Sequence, residues 1–163
     1  MIRKVKPDPG QESVWDYPRP PAIEQYSKHI RIVFNETIIL DTNHSFRILE
    51  TSHPPSYYLP KSSFKKGVLI KTAKTSFCEF KGRAHYYNIV LDNQIVKDAA
   101  WGYDSPNHRY GAIKNHICVY AKLMEACFIN HERVTPQPGG FYGGWITKNV
   151  VGPFKGVPNS WGW

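Results

Sequence analysis

The sequence has few cysteines, few acidic residues and no long apolar run, and each shortage excludes a class of protein. Its 163 residues contain three cysteines, and no two of them form a C-x-x-C motif. This argues against a disulfide framework and against a tetrahedral zinc site. No apolar run approaches the ~18 residues of a transmembrane helix, and no apolar stretch follows the basic N-terminal residues. We expect a soluble, cytoplasmic protein of one domain without a metal or other cofactor.

The shortage of acidic residues leaves a positive charge that is unevenly distributed. Lys and Arg total 21 and Asp and Glu 13, which gives a net charge of +8. Between Lys61 and Arg83, seven basic residues stand against one acid, Glu79. A basic stripe with interleaved phenylalanines could hold an anionic ligand. Lysines at a strand edge also serve solubility alone, so both interpretations stay open and a nucleic acid is the less favoured partner.

Composition divides the chain into an arm, a core and a strap. Residues 1–27 form a predicted extended arm, because five prolines precede residue 22 and proline fixes φ and donates no N–H. Residues 28–135 are the predicted β core. Residues 136–163 are rich in glycine, proline and aromatic residues, and leaving so many aromatic rings in water is costly. We therefore expect an ordered strap packed on the core.

Three pairs of short apolar runs predict β-hairpins, each joined by Asn or Asp residues that tolerate the left-handed region. They are Ile30–Phe34 with Thr37–Asp41, Asn88–Leu91 with Gln94–Asp98, and Cys127–Asn130 with Arg133–Thr135. Phe46–Glu50 and Phe77–Leu91 add strand signal. His108–Leu123 is the best helix candidate, although Ile117–Tyr120 reads equally well as a strand.

Glu50 and His53 are candidate catalytic residues. Histidine titrates near neutrality and a carboxylate can orient it, so the two could act as an acid–base pair. Residues three apart on a strand face opposite sides, so this pairing requires the strand to end near Thr51, which the following Pro54-Pro55 favours. The alternative is an Arg47–Glu50 ion pair with a histidine in a turn.

Cys78 and Lys81 complete the catalytic candidates. A thiolate at Cys78 would be a nucleophile if a cation lowered its pKa, with Lys81 as electrostatic stabiliser. A cysteine between two phenylalanines also fits a small buried apolar residue. Gly82 inside a strand pattern suggests a bulge that would re-aim Lys81.

The ligand-binding candidates are aromatic and basic residues from several segments: Arg47, Tyr57, His85, Trp101 and Tyr103. Two alanines before Trp101 leave room for a ring or a ligand against the sheet, although a core tryptophan at a strand end fits as well. Paired glycines in PQPGGFYGGW could bring backbone amides close to an anion, or could permit turns beneath the neighbouring aromatic rings.

Four segments resemble domain of unknown function family 427, which is also labelled nucleotidyltransferase-like. They are LETSHPPSYYLP, CEFKGRAHYY, AAWGYDSP and RVTPQPGGFYGGWITKNVVGPFKG, and the likeness runs from about Glu12 to Trp163. The resemblance implies a mainly β, antiparallel, β-tent-like fold, shared with methionine-R-sulfoxide reductases and cereblon-type domains. Relatives of that fold hold zinc through two C-x-x-C pairs, which this sequence lacks. Cereblon-type domains bind small ligands in a tryptophan-lined pocket, which Trp101 and Trp145 could imitate.

The nucleotidyltransferase label finds no support in the residues. Polymerase-type transferases hold two Mg²⁺ ions on paired aspartates, and this sequence has neither a D-x-D nor a Gly-Ser dipeptide. We therefore predict a protein that binds a small anionic or planar ligand, nucleotide-like compounds included. An enzyme that uses Glu50 and His53 is one alternative. An interaction module or homodimer that uses the aromatic arms is the other.

Overall fold

Antiparallel β-strands make up most of the regular structure in the computed structural model, which describes all 163 residues. The strands are β1 (Glu12–Ser13), β2 (Ala22–Tyr26), β3 (Ile30–Phe34), β4 (Thr37–Thr42), β5 (Ser45–Leu49), β6 (Ser56–Pro60), β7 (Leu69–Cys78), β8 (Gly82–Leu91), β9 (Gln94–Gly102), β10 (His116–Val119), β11 (Ala126–Ile129), β12 (Glu132–Arg133), β13 (Thr135–Pro136), β14 (Trp145–Ile146) and β15 (Val150–Val151). Short 3-10 helices cover Val14–Asp16, Lys61–Ser63, His108–Ile113 and Ala121–Leu123. None of these helices has the length and apolar character that crossing a membrane requires.

The strands form two main sheets. The larger has seven strands in the order β2-β5-β6-β10-β9-β8-β7, and the smaller has four in the order β12-β11-β3-β4. Strands β1 and β15 form a parallel pair, and β13 and β14 an antiparallel one. The predicted fold class, a single-domain, mainly β protein with antiparallel sheets, is confirmed.

All three predicted hairpins are present. Strands β3 and β4, β8 and β9, and β11 and β12 pair across tight connections. Asn35, Asp92 and Asn130 in these connections have φ of 49°, 53° and 54°. Asn and Asp adopt this left-handed conformation more readily than other non-glycine residues, because their short polar side chains can hydrogen-bond locally.

One strand prediction and one helix prediction need correction. The strand signal over Phe77–Leu91 is interrupted at 79–81, where β7 turns into β8, and Gly82 follows this turn with φ of +106°. The candidate helix His108–Leu123 instead contains two short 3-10 helices and the strand β10. Strand β10 is paired on both sides, with β6 and β9, so sheet pairing decides the conformation of this short apolar run.

Side chains along the strands of the large sheet point alternately to its two faces, and this separates two apolar clusters. A core of 22 buried residues includes Tyr57, Leu59 and Ala100. A second cluster of nine residues includes Tyr58 and Trp101, the immediate sequence neighbours of Tyr57 and Ala100. The second cluster therefore lies on the opposite face of the large sheet, and it forms the floor of the cavity described below.

The terminal segments contact each other and the sheets. The indole N–H of Trp15 donates to the Pro153 carbonyl at 3.0 Å, and the Trp15 and Trp163 rings meet edge to face at 5.4 Å. Trp145 is 1% exposed, and its N–H donates to the Val119 carbonyl at 3.0 Å. The division of the chain at residues 27 and 135 stays a prediction.

Candidate functional site

A cavity of about 390 Å³ opens on the second face of the large sheet. Its floor includes Tyr58, Tyr86 and Trp101, and the ends of β5 and β7 with their following turns supply further walls. Residues Gln137 and 141–143 of the glycine-rich segment close one side. Side chains distant in sequence meet here because adjacent strands of one sheet place alternate residues on the same face.

Six of the nine predicted site residues line this cavity: Glu50, His53, Cys78, Lys81, Trp101 and Tyr103. All four catalytic candidates are among them. The structure therefore brings together residues that were singled out from three different motifs. Their function is not established by this proximity and stays a prediction.

The other three candidates lie elsewhere. Arg47 is 4% exposed and forms ion pairs with Glu12 and Glu24 at 3.1 and 2.8 Å. Tyr57 is buried in the 22-residue core. His85 lies on β8 between cavity residues Ala84 and Tyr86, so alternation directs it to the other face. Consecutive residues of a strand point to opposite faces of the sheet, so a residue next to a cavity residue in sequence can lie outside the cavity.

Glu50 and His53 lie side by side in the turn after β5. The strand ends at Leu49, and the His53 amide donates to the Glu50 carbonyl at 3.0 Å, so the chain reverses here, as Pro54-Pro55 predicts. The Nε2 atom of His53 is 3.8 Å from Glu50 Oε2. Arg19, rather than the predicted Arg47, forms the ion pair with Glu50, at 3.3 Å.

Gln137 determines the orientation and the tautomer of His53. The Gly144 amide donates to Gln137 Oε1 at 2.9 Å, so Nε2 is on the opposite side, where it donates to the Lys155 carbonyl at 2.9 Å. The remaining Nε2 hydrogen faces His53 Nδ1 at 3.1 Å. Because an amide nitrogen only donates, Nδ1 is the acceptor and the neutral imidazole carries its proton on Nε2.

Burial keeps the imidazole of His53 neutral. Desolvation, with nearby Lys155, Arg19 and Lys81, lowers the pKa of His53 to about 4 from its ordinary value of 6.5. The side chain is 14% exposed, and its ring packs edge to face on Tyr142 at 4.8 Å. At neutral pH, His53 is therefore a hydrogen-bond donor through Nε2.

This pKa predicts a specific acid sensitivity. Below pH 6.5 His53 becomes protonated in the unfolded chain, whereas in the folded chain it stays neutral down to about pH 4. The free energy of unfolding therefore decreases as the pH falls across this range. Replacing His53 by glutamine removes this contribution. The stability advantage of wild type over His53→Gln should shrink by up to about 1.4 kcal/mol per pH unit in urea unfolding series. His108→Gln, at an exposed position, is measured in parallel as the same substitution outside the cavity. A constant gap between wild type and His53→Gln would contradict the prediction.

The glycine-rich segment contributes to the site by close packing. A Cβ atom at Gly143 would overlap the ring of Trp101, and one at Gly144 would lie 2.5 Å from the Pro54 carbonyl oxygen. Neither glycine has a positive φ, whereas Gly139 of the first pair has φ of +87°. Close packing is therefore what requires glycine at 143 and 144. Gln137, Tyr142 and Gly143 were missed from the sequence, although PQPGGFYGGW contains them, because their roles depend on distant residues. Gln137 and Tyr142 contact His53, and Gly143 packs on Trp101.

The cavity lining carries charges of both signs. Lys81 and Lys155 line it together with Glu50 and Glu79, and Glu50 is paired with Arg19. The two ammonium groups also lie over aromatic rings, Lys81 above Tyr103 at 5.9 Å and Lys155 above Tyr142 at 5.5 Å.

Several side chains of the basic stripe between Lys61 and Arg83 have partners within the chain. Lys61 donates to the Tyr87 hydroxyl at 3.3 Å, Lys71 forms an ion pair with Asp104, and Lys74 lies over the Tyr86 ring at 4.5 Å. Cys78 is a half-buried free thiol in the cavity wall. No group of three or more His, Cys, Asp or Glu side chains is placed to hold a metal ion.

Comparison with known proteins gives one family. The family model described as domain of unknown function (DUF427), labelled NTP_transf_9, matches residues 22–130. These residues contain most of the cavity but not its glycine-rich side. No curated protein matches the chain. Since the match spans more than half of the chain and agrees with the resemblance carried by LETSHPPSYYLP, CEFKGRAHYY and AAWGYDSP, the protein belongs to the DUF427 family.

Proposed function

We propose that this protein binds a small planar ligand in the cavity on the second face of the large sheet. The observation that carries the proposal is the aromatic enclosure: Trp101, Tyr103, Tyr120 and Tyr142 line a space of about 390 Å³. Pockets for small molecules start at roughly 300 Å³ and combine apolar walls with a few polar groups. Flat rings gain from stacking on aromatic side chains as well as from burial.

The mixed charge of the lining favours a planar ligand over a polyanionic one. A nucleoside triphosphate needs several cations or a metal ion to offset its phosphates. Here the lining offers two lysines, Lys81 and Lys155, and also holds two carboxylates, Glu50 and Glu79, which would repel phosphates. Of the two ligand types predicted from the sequence, anionic or planar, this supports the planar one. It gives no support to the nucleotidyltransferase label.

The two alternatives have less support from the geometry. As a general base, His53 would need a free nitrogen lone pair, yet Nδ1 accepts from Gln137 and the neutral ring carries its proton on Nε2. For an interaction module, Trp15 and Trp163 are already packed on each other, which leaves Trp161, 82% exposed, as the main free ring of the arms.

The proposal predicts ligand-induced stabilisation that depends on Trp101. A panel of planar heteroaromatic compounds should contain members that raise the melting temperature of the wild-type chain. A ligand at 100 times its Kd stabilises the fold by about 2.7 kcal/mol, a shift of a few degrees for this size. The variant Trp101→Leu should lose the shift, because it removes the ring that the ligand stacks on.

Trp161→Leu is the matched control, since it removes an exposed indole away from the cavity and should keep the wild-type shift. Tyr142→Leu gives a second test on a partly exposed wall residue, in case Trp101→Leu unfolds. The proposal is wrong if no planar compound stabilises the protein, or if the shifts persist in both wall variants.

A further inference from the structure

A free hydrogen-bond donor lies next to a carboxylate oxygen on the cavity wall. His53 Nε2 is 3.8 Å from Glu50 Oε2, and that oxygen is also 3.3 Å from the Arg19 guanidinium. A carboxylate oxygen accepts more than one hydrogen bond, so Glu50 can accept from a ligand as well. The separation between His53 and Glu50 exceeds the ~3.2 Å limit of an N–H···O bond, so the two groups do not satisfy each other. Both line the cavity, and the His53 side chain is 14% exposed.

The roles of the two groups follow from their other partners. Gln137 donates to Nδ1 of His53, which places the proton on Nε2 and makes that atom the donor. Arg19 pairs with Glu50 at 3.3 Å, and a carboxylate only accepts hydrogen bonds, so Glu50 is the acceptor. Gln137 is itself held by Gly144 and Lys155. The donor is therefore oriented before any ligand arrives, and preorganisation reduces the cost of binding.

We infer that the cavity recognises the amide edge of a planar ring, meaning a ring carbonyl beside a ring N–H, with His53 donating to the carbonyl and Glu50 accepting from the N–H. The inference rests on the proposed function and names its ligand class. Paired hydrogen bonds of this kind discriminate between ring edges, as bidentate side chains do on nucleobases. The ring face would lie against the aromatic walls around Trp101.

Other edges fit this pair less well. An aromatic carboxylate would accept from His53 but has no hydrogen to donate to Glu50, so only one of the two bonds would form. An aromatic amine could donate to Glu50 but would cover the N–H of His53 without offering it an acceptor, which is costly. A hydrocarbon ring would leave both groups unsatisfied. The amide edge satisfies both at once.

The test compares compounds that share one planar ring and differ in the N–H groups that they present. Calorimetric titration of the full chain at pH 7 would use uracil, 1,3-dimethyluracil, which keeps both carbonyls but has no N–H, and uridine, which keeps the N3–H edge. Wild type should bind uracil at least about tenfold more tightly than 1,3-dimethyluracil. Comparing uridine with uracil shows whether the amide edge is recognised on a nucleoside or on a free base. Binding of either compound supports the inference.

Variants assign the discrimination to the two residues. Glu50→Leu and His53→Phe should each reduce the preference for uracil towards one, and melting curves would verify that both fold. Glu36→Gln, an exposed carboxylate in the β3–β4 turn, is the control and should keep the full preference. If uracil and 1,3-dimethyluracil bind equally and both are lost in Trp101→Leu, the amide-edge inference fails while the proposed function stands. If none of the three compounds binds at millimolar concentration, the inference is overturned, and the wider heteroaromatic panel then decides the proposed function separately.

Discussion

Trp145→Ala is expected to lower the free energy of unfolding by about 3–5 kcal/mol, the usual cost of truncating a large buried aromatic residue. Trp145 is the largest side chain that is fully buried, at 1% exposure, and it packs on Tyr57 with ring centroids 5.2 Å apart. Its N–H also satisfies the Val119 carbonyl. The alanine variant loses both the packing and the hydrogen bond. Urea unfolding monitored by circular dichroism measures the change.

Two further variants separate these contributions. Trp145→Phe keeps a ring but leaves the Val119 carbonyl without its donor, for an expected loss of about 1–3 kcal/mol. Trp161→Ala removes an indole that is 82% exposed and should stay within about 0.5 kcal/mol of wild type. A loss below ~1 kcal/mol for Trp145→Ala would mean that this ring does not hold the C-terminal segment on the core.

Gly143→Ala should destabilise the protein by about 1–3 kcal/mol, the usual cost of overpacking, and should also disturb the cavity. The added methyl group would overlap the Trp101 ring and approach Tyr120 Cδ1 at 3.3 Å. The two rings already pack at 4.7 Å, so neither can yield without moving the other. Melting temperature and indole fluorescence, measured together, report the two effects.

Gly140→Ala is the matched control for this clash. It introduces the same methyl group in the same segment, where its nearest neighbour is the flexible Lys122 ammonium at 3.8 Å. Its stability and fluorescence should stay close to wild type. Equal behaviour of the two alanine variants would show that close approach to Trp101 is not the reason for glycine at position 143.

Local sequence signals predicted the hairpins well because their causes are local. Asn35, Asp92 and Asn130 mark tight turns by their tolerance of positive φ, and the flanking β-branched residues favour strands. The signal was weaker at His108–Leu123, where short apolar runs fit helix and strand alike. There the pairing of β10 with β6 and β9 decided for the strand.

The candidate site could be predicted from the sequence only where its reactive side chains lie close together in short motifs. Glu50 with His53 beside Pro54 indicated a turn with an acid and an imidazole, and this turn exists. Arg47 and Tyr57 were misplaced, because one residue along a strand changes the face. Gln137 and Gly143 were missed, because their partners lie 84 and 42 positions away and no local pattern marks such contacts.

The sequence by itself determined the β class, the turn positions and the short list of reactive side chains, because strand propensity and turn chemistry act between near neighbours. Only the tertiary structure decided which of these side chains share a cavity, that Arg19 rather than Arg47 pairs with Glu50, and that Gln137 makes His53 a donor. Those outcomes depend on which strand faces meet and on where burial excludes water. Both are properties of packing between residues far apart in the chain.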